Sequence, residues 1–147
     1  MQCALAFGQS ADLVFLRDRL RDRFGPVSDA HRHDPVGQLI SASISARTYD
    51  EVYSRAFERL ASRYPDVEDL AAAATEEIEA TISDVTYARD KAVHLRAALR
   101  MIRARSGRIS LDFLQDWPVD LALRWLEELP GAGPKVSAAV LNFIRKR

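Results

Sequence analysis

The fold of this chain is decided by one short stretch, Leu129-Pro130-Gly131-Ala132-Gly133-Pro134-Lys135. Segments with helical spacing of apolar residues lie on both sides of it, and each segment has one apolar stripe. The two stripes consist of Leu121, Trp125 and Leu129 before the turn and of Val136, Val140, Phe143 and Ile144 after it. Two such stripes predict a hairpin of helices that share a core.

The glycines of this hairpin predict an anion site. Gly131 and Gly133 can take positive φ and expose backbone N–H groups, while Pro134 suits the first position of the following helix. A helix N-terminus with free N–H groups attracts an anion. We therefore interpret the hairpin as a phosphate clamp.

The charge balance restricts where a nucleic acid could bind. The 147 residues include 21 basic and 21 acidic side chains, so the formal net charge is zero. A zero net charge argues against a generally basic surface and confines any phosphate binding to a local patch. Hydrophobic residues make up 48% of the chain, which is enough for a core of its own.

Cysteine content and the N-terminal sequence indicate a cytoplasmic protein without a cofactor in this chain. The single cysteine, Cys3, allows no internal disulfide and cannot form a four-cysteine zinc or iron–sulfur site. The first residues have no basic n-region, and no apolar run approaches the ~18 residues of a membrane span. We expect no contact with a membrane.

Helical periodicity and capping residues predict an all-α fold of eight or nine helices without a confident strand. Small residues indicate that the helix opened by Asp34-Pro35 is central, and Thr48 is expected to cap the helix after it. Gly107 is expected to close the longest helix, which runs from about Ala88 to Ser106.

Two further patterns favour structural roles. His31 and His33 have no third ligand nearby in sequence, so we interpret them as loop residues and predict no metal site. The longest helix has a second stripe of basic residues, for which a solvated face is favoured over a DNA-binding stripe. This stripe consists of Arg89, Arg96, Arg100 and Arg103.

Four blocks in order resemble the helix-hairpin-helix (HhH-GPD) DNA glycosylase superfamily, in particular its endonuclease III-like branch. The resemblance covers about residues 34–146, and it implies a multi-helix orthogonal bundle. The blocks are Asp34-Pro35 with Gln38-Leu39-Ile40, residues 44–50, residues 85–92, and the hairpin with Ala138-Ala139-Val140-Leu141.

The resemblance implies that the chain binds double-stranded DNA and assigns roles in the hairpin. Gly131, Ala132 and Gly133 would contact phosphate through their backbone, and Pro134 would belong to the same DNA-binding surface. Lys135 would be the amine that attacks the sugar C1′ and forms a Schiff base. The positive end of the helix dipole independently favours the neutral amine. The alternative is a lysine that only contacts phosphate.

A further residue of the resemblance is Arg47, where the family often has a glutamine that fills the space left by a flipped base. Arginine can stack and donate hydrogen bonds there. The alternative is a basic residue that complements the dipole at the end of a helix. Thr86 is a departure, since the family usually has glycine before its long helix.

The resemblance also implies a second domain of which this chain holds a part. We expect residues 1–33 to contribute a helix and linker to that domain, and residues 34–147 to form the helical domain, with the helix-hairpin-helix at 121–146. The family's catalytic aspartate follows the second hairpin helix, and its cluster cysteines, where present, lie further on. We therefore expect a chain truncated after the hairpin, catalytically incomplete, with an open apolar surface that could drive homodimerisation.

Two classes of function follow. The favoured one is a base-excision repair glycosylase/AP lyase relative that holds duplex DNA through its hairpin. The alternative is a non-enzymatic helix-hairpin-helix module that binds a DNA structure or a protein, and the absence of a matching aspartate supports it.

Overall fold

The computed structural model describes residues 10–25 and 34–146. The chain divides into two units, Met1–Arg32 and His33–Arg147, which are described separately. In the first unit, α1 (Ser10–Phe24) ends at Gly25, whose φ of 79° is the left-handed conformation that commonly terminates a helix. His31 and His33 lie outside the described residues.

The described part of the second unit is helical, as the sequence predicts, and contains no strand. It begins with a side-chain cap, because the Asp34 carboxylate accepts a hydrogen bond of 2.7 Å from the Gly37 N–H. A short 3₁₀ helix, Asp112–Asp116, precedes the last two helices. The α-helices are α2 (Pro35–Ser45), α3 (Asp50–Arg63), α4 (Val67–Ala72), α5 (Thr75–Thr81), α6 (Ala88–Ser106), α7 (Val119–Glu127) and α8 (Pro134–Arg145).

The helix α2 is central, as its small residues predict, since it packs against α3, α6 and α8. Its Leu39 and Ile44 are almost completely buried. The prediction for α6 is confirmed at both ends, and Gly107 caps it with a φ of 82°. The predicted apolar face of α6 is buried and consists of Ala92, Leu95, Leu99 and Ile102.

The apolar stripe predicted for the first hairpin helix is wrong in part. Leu121 is 46% exposed and Trp125 is half-buried, whereas Ala122 and Leu126 are completely buried. The reason is that α7 ends at Glu127, so Leu129 lies in the turn and helical spacing does not place it on the same face. In α8, Val140 and Ile144 of the predicted stripe are buried.

The basic residues of α6 are largely exposed, as the favoured solvated face predicts, but they also bond to neighbouring helices. The Nε of Arg96 donates to the Ala73 carbonyl at 2.8 Å, and the Nε of Arg100 donates to the Ala71 carbonyl at 3.0 Å. These carbonyls lie at the end of the six-residue helix α4, where backbone acceptors lack partners within the helix. Arg103 pairs with Glu68 on α4, and Arg89 pairs with Glu79 on α5. The stripe therefore attaches α4 and α5 to α6.

Candidate nucleic-acid interface

The turn between α7 and α8 is anchored by buried side chains and its own hydrogen bonds. Leu129 and Ala132 are buried, at 2% and 4% exposure. The Leu129 N–H donates to the Leu126 carbonyl, and the Ala132 N–H donates to the Leu129 carbonyl, both at 3.0 Å. Gly131 between them has a φ of 77°, which confirms one of the two positive φ values that the sequence allows.

Gly133 differs from that expectation because its backbone is extended, with φ −76° and ψ −176°. A Cβ atom at this position would have no heavy atom within 4 Å, so the space beside it is open. Glycine therefore leaves room beside the start of α8 without being required by backbone strain. Pro134 follows as the first residue of α8, as predicted.

Within the described part of the chain, no side chain caps the N-terminus of α8. Among the described residues, the N–H groups of Gly131, Gly133, Lys135 and Val136 have no hydrogen-bond partner, whereas the N–H group of Ala132 is used inside the turn. Unpaired N–H groups at a helix N-terminus carry partial positive charge and attract anions. The phosphate contact of Ala132 stays a prediction, and its N–H group donates within the turn in this structure.

Lys135 lies in the first turn of α8 with its side chain exposed. Its ammonium has no partner among the described residues, so it is free to meet a ligand at the helix terminus. This position is consistent with both interpretations made from the sequence, a nucleophile and a phosphate contact.

Arg47 follows α2 directly and adopts a left-handed conformation, with φ 54°. Ala46 before it has φ −55° and ψ 128°, and the Thr48 N–H donates to the Ser45 carbonyl at 3.1 Å. These values describe a type II turn, in which the position of Arg47 usually requires glycine. The arginine is exposed, and its guanidinium has no partner within the described parts of the chain.

The Thr48 hydroxyl does not cap α3, contrary to the sequence prediction, because α3 begins at Asp50 with Tyr49 as its N-cap residue. Instead, Thr48 Oγ1 lies 3.2 Å from the Thr86 backbone N, from which it accepts a hydrogen bond. It also accepts from Lys91 Nζ at 3.3 Å and donates to the Ala46 carbonyl. One donor and two acceptor positions exhaust the capacity of a hydroxyl group.

Tyr87 is a second left-handed residue, with φ 57°, at the N-cap position of α6. Its side chain is 58% exposed. Thr86, which replaces the glycine usual in the family, does not take positive φ, so the unusual conformation falls one residue later. Nothing in the local sequence pattern predicts a left-handed tyrosine at position 87.

One turn of α6 brings the hairpin and the Arg47 turn to the same region. Lys91 Nζ donates to the carbonyls of Ile44 and Ala46 at the end of α2, at 3.0 and 2.5 Å. His94, three residues later, abuts the hairpin, since a Cβ added to Gly131 would lie 2.9 Å from His94 Cβ. Residues three apart are neighbours on a helix surface. The two predicted DNA-binding elements therefore rest on adjacent positions of α6.

An apolar cavity of about 490 Å³ lies elsewhere, beside the start of α2. Phe57 and Tyr64 line it together with Asp34. The 11 residues of α2, about 16 Å at 1.5 Å per residue, separate this end from the turn with Arg47. The cavity is therefore not part of the site.

The residues that the structure describes do not supply a ligand set for a metal ion or an iron–sulfur cluster. The described residues contain no group of three or more His, Cys, Asp or Glu side chains that could hold a metal ion. The one cysteine, Cys3, lies outside them. Within the described residues, no helix is long and apolar enough to cross a membrane.

The profile of the HhH-GPD superfamily base excision DNA repair proteins matches residues 40–144, which include the Arg47 turn, the start of α6 and the hairpin. The chain belongs to this family. The matched region covers more than half of the chain and agrees with the resemblance found in the sequence.

Relatives of this HhH-GPD chain include a DNA glycosylase and an endonuclease III by name. A candidate DNA glycosylase of Arabidopsis thaliana is 30% identical over 117 residues, which are 80% of this chain and 40% of that protein. Endonuclease III of Synechocystis is 32% identical over 107 residues, 73% of this chain and 45% of that protein. The chain thus spans less than half the length of these two relatives.

A solved structure shares the fold. An endonuclease III trapped in a covalent intermediate with DNA superimposes with a TM-score of 0.68 at 22% identity, covering 92% of this chain and 60% of the other. The all-α architecture is thus the endonuclease III fold, as the resemblance implies.

Proposed function

We propose that this HhH-GPD chain binds duplex DNA by seating a backbone phosphate on the hairpin between α7 and α8, as part of base-excision repair. The observation that carries the proposal is the uncapped N-terminus of α8 beside the open space at Gly133. Several unpaired N–H groups point to an anionic ligand, and the exposed Lys135 adds a positive charge at the same terminus. The names of the relatives, a glycosylase and an endonuclease III, agree with such a ligand.

A substitution at Gly133 tests the phosphate site without disturbing the fold. Because its extended backbone suits any residue and its surroundings are open, Gly133→Val should fold normally while its side chain obstructs access to the α8 N-terminus. A control is Ala104→Val, which introduces the same side chain at an exposed position near the end of α6. We expect a loss of duplex affinity in the first variant alone. Equal affinity of Gly133→Val and the wild type at low salt would refute the phosphate site.

Salt dependence provides the second measurement. Each phosphate that the protein neutralises contributes about −0.9 to the slope of log affinity against log salt concentration. We expect Lys135→Met to make this slope less negative by about one. An unchanged slope would show that Lys135 does not pair with a phosphate.

We further propose that Lys135 supplies the amine for Schiff-base chemistry at C1′ of an abasic sugar. The neutral amine adds to the C1′ aldehyde and water leaves, which gives an imine that borohydride reduces to a stable amine. The trapped covalent intermediate of the structurally similar endonuclease III supports this proposal. An abasic substrate is the informative one, because its base is already absent and no glycosidic bond needs to be cleaved.

Borohydride trapping distinguishes the roles of Lys135. We expect a covalent adduct with abasic duplex that disappears in Lys135→Met. Duplex binding without any adduct would favour the non-enzymatic helix-hairpin-helix module. An adduct that persists in Lys135→Met would assign the nucleophile to another amine.

We also propose that Arg47 enters the space of a missing base. Its exposure, its strained turn and a guanidinium without a partner among the described residues support this role, since strained residues are concentrated at functional sites. The expected preference is for a duplex that contains an abasic site over an intact duplex of the same sequence.

A further inference from the structure

Two residues with side chains occupy left-handed backbone conformations in the described part of the chain, and both are exposed. They are Arg47 after α2 and Tyr87 before α6. Each conformation costs on the order of 1–2 kcal/mol for a residue with a Cβ atom. Such strain persists only when the surrounding structure over-determines it. Contacts from the surrounding structure must therefore hold these two turns in place.

The ammonium of Lys91 connects the two turns. It lies in the first turn of α6, four residues after Tyr87, and it reaches across to α2. There it donates to the Ile44 carbonyl, to the Ala46 carbonyl that precedes Arg47, and to the Thr48 hydroxyl that follows it. Its three N–H donors match these three acceptors, which is the full capacity of a lysine.

The Thr48 hydroxyl provides a second connection in the same place. It accepts the Thr86 N–H at 3.2 Å, directly before Tyr87, while it also accepts from Lys91. The backbone on both sides of Arg47 is thus attached to the backbone that leads into α6. No other side chain of the described residues donates to the carbonyl groups of Ile44 and Ala46 from another helix.

We propose that Lys91 is a positioning residue, whose ammonium fixes the Arg47 turn to the start of α6 so that Arg47 meets an abasic site in one rigid orientation. The inference rests on the proposed function, because it assumes that Arg47 recognises the missing base. Lys91 itself is half-buried, and its three N–H donors are used inside the protein. Its effect is to keep the strained turn from relaxing before binding, which lowers the entropy lost on binding.

The test compares duplexes with and without an abasic-site analogue. The readout is the ratio of the two dissociation constants for the wild type, Lys91→Met and Lys91→Arg. We expect Lys91→Met to lower this ratio by about tenfold, equivalent to about 1.4 kcal/mol, with little change in affinity for intact duplex. Lys91→Arg keeps a cation with several donors and should restore part of the ratio.

A matched control separates positioning from stability. Arg96→Met also removes a hydrogen bond from α6 to a carbonyl at a helix end, but this carbonyl belongs to Ala73 after α4. We expect this variant to lower the thermal midpoint without a change in the ratio. If Arg96→Met lowers the ratio as much as Lys91→Met does, the positioning role is refuted.

A double substitution identifies the residue through which Lys91 acts. In an Arg47→Gly background, Lys91→Met should cause no further fall in the ratio, because the side chain that it positions is absent. A fluorescence measurement provides a second readout. The fluorescence of 2-aminopurine placed opposite the abasic site increases when the base is unstacked. At saturating protein, Lys91→Met should lose this increase.

The outcomes distinguish this inference from the proposed function. A wild type that binds both duplexes equally refutes the role of Arg47 at abasic sites, and with it the positioning role of Lys91. A wild type that prefers the abasic duplex, together with a Lys91→Met variant that keeps the preference, refutes the positioning role alone. If Lys91→Met does not fold, Thr48→Val removes the second connection with little change in shape and should lower the ratio in the same direction.

Discussion

Gly131 in the hairpin packs directly against His94 on α6: a Cβ at position 131 would lie 2.9 Å from His94 Cβ and 3.4 Å from its Cγ. The first distance is shorter than a carbon–carbon contact allows, and the helix fixes the position of the His94 Cβ. Gly131 therefore serves two purposes, a left-handed turn and a close approach between the hairpin and α6.

We predict opposite effects of alanine at the two hairpin glycines. Gly131→Ala should lower the free energy of unfolding by about 2–4 kcal/mol, because it combines left-handed strain with overpacking. Gly133→Ala should raise it by up to about 1 kcal/mol, since its φ and ψ suit alanine and the unfolded chain loses entropy. Urea unfolding of both variants measures the difference.

A double-mutant cycle tests the cause of the loss at Gly131. Combined with His94→Gly, the Gly131→Ala substitution should cost about 1 kcal/mol less than it does alone, because the Cβ that it meets is removed. Strict additivity would mean that the whole loss comes from backbone strain at position 131.

Local sequence signals predicted the parts of the fold that depend on local physics. The limits of α6 from Ala88 to Ser106 follow from apolar spacing and from Gly107, and the structure has the same limits. Pro134 begins α8 because a proline at that position loses no hydrogen bond. The hairpin could also be predicted locally, because its glycines and prolines lie directly between two segments with helical spacing of apolar residues.

The parts that were missed depend on contacts between distant segments. Threonine often caps a helix, but the Thr48 hydroxyl forms hydrogen bonds with Thr86 and Lys91, about 40 positions away in the chain. Likewise, Gly131 rather than Gly133 takes positive φ at the point where the hairpin meets His94, a residue of α6. The spacing of residues along the chain does not predict these partners.

We predict that Arg47 is needed for the preference for abasic duplex but does not stabilise the fold. Arg47→Gly should leave the free energy of unfolding unchanged or raise it by up to about 1 kcal/mol, because glycine relieves left-handed strain but has more entropy when unfolded. The same variant should lose the preference for abasic duplex. Arg47→Ala, which keeps the strain and removes the guanidinium, should lose the preference without a gain in stability. A clear loss of stability in Arg47→Gly would show that the arginine side chain supports the fold.

Ser137 offers a test of an unpaired buried group. Its hydroxyl is completely buried in α8 and has no hydrogen-bond partner among the described residues. An unsatisfied buried hydroxyl costs on the order of 1 kcal/mol or more. Ser137→Ala should therefore raise the free energy of unfolding by about 1 kcal/mol, seen as a higher urea midpoint with an unchanged slope. A lower midpoint would reveal a partner for the hydroxyl.

Lys91 should make the stability of the protein depend on pH in the alkaline range. Burial lowers the pKa of Lys91 below its ordinary value of 10.5. Between the folded pKa and 10.5 the unfolded chain therefore binds more protons than the folded chain at this site. The contribution of Lys91 to the free energy of unfolding consequently rises with pH across this window and is constant below it.

Urea unfolding of the wild type and of Lys91→Met from pH 7 to pH 10.5 isolates this contribution, because the other titrating groups are common to both proteins. We expect the difference in unfolding free energy, wild type minus Lys91→Met, to increase with pH in the alkaline part of the range. A difference that falls with pH would mean that the carbonyl groups of Ile44 and Ala46 hold the proton on Lys91 more strongly than burial opposes it.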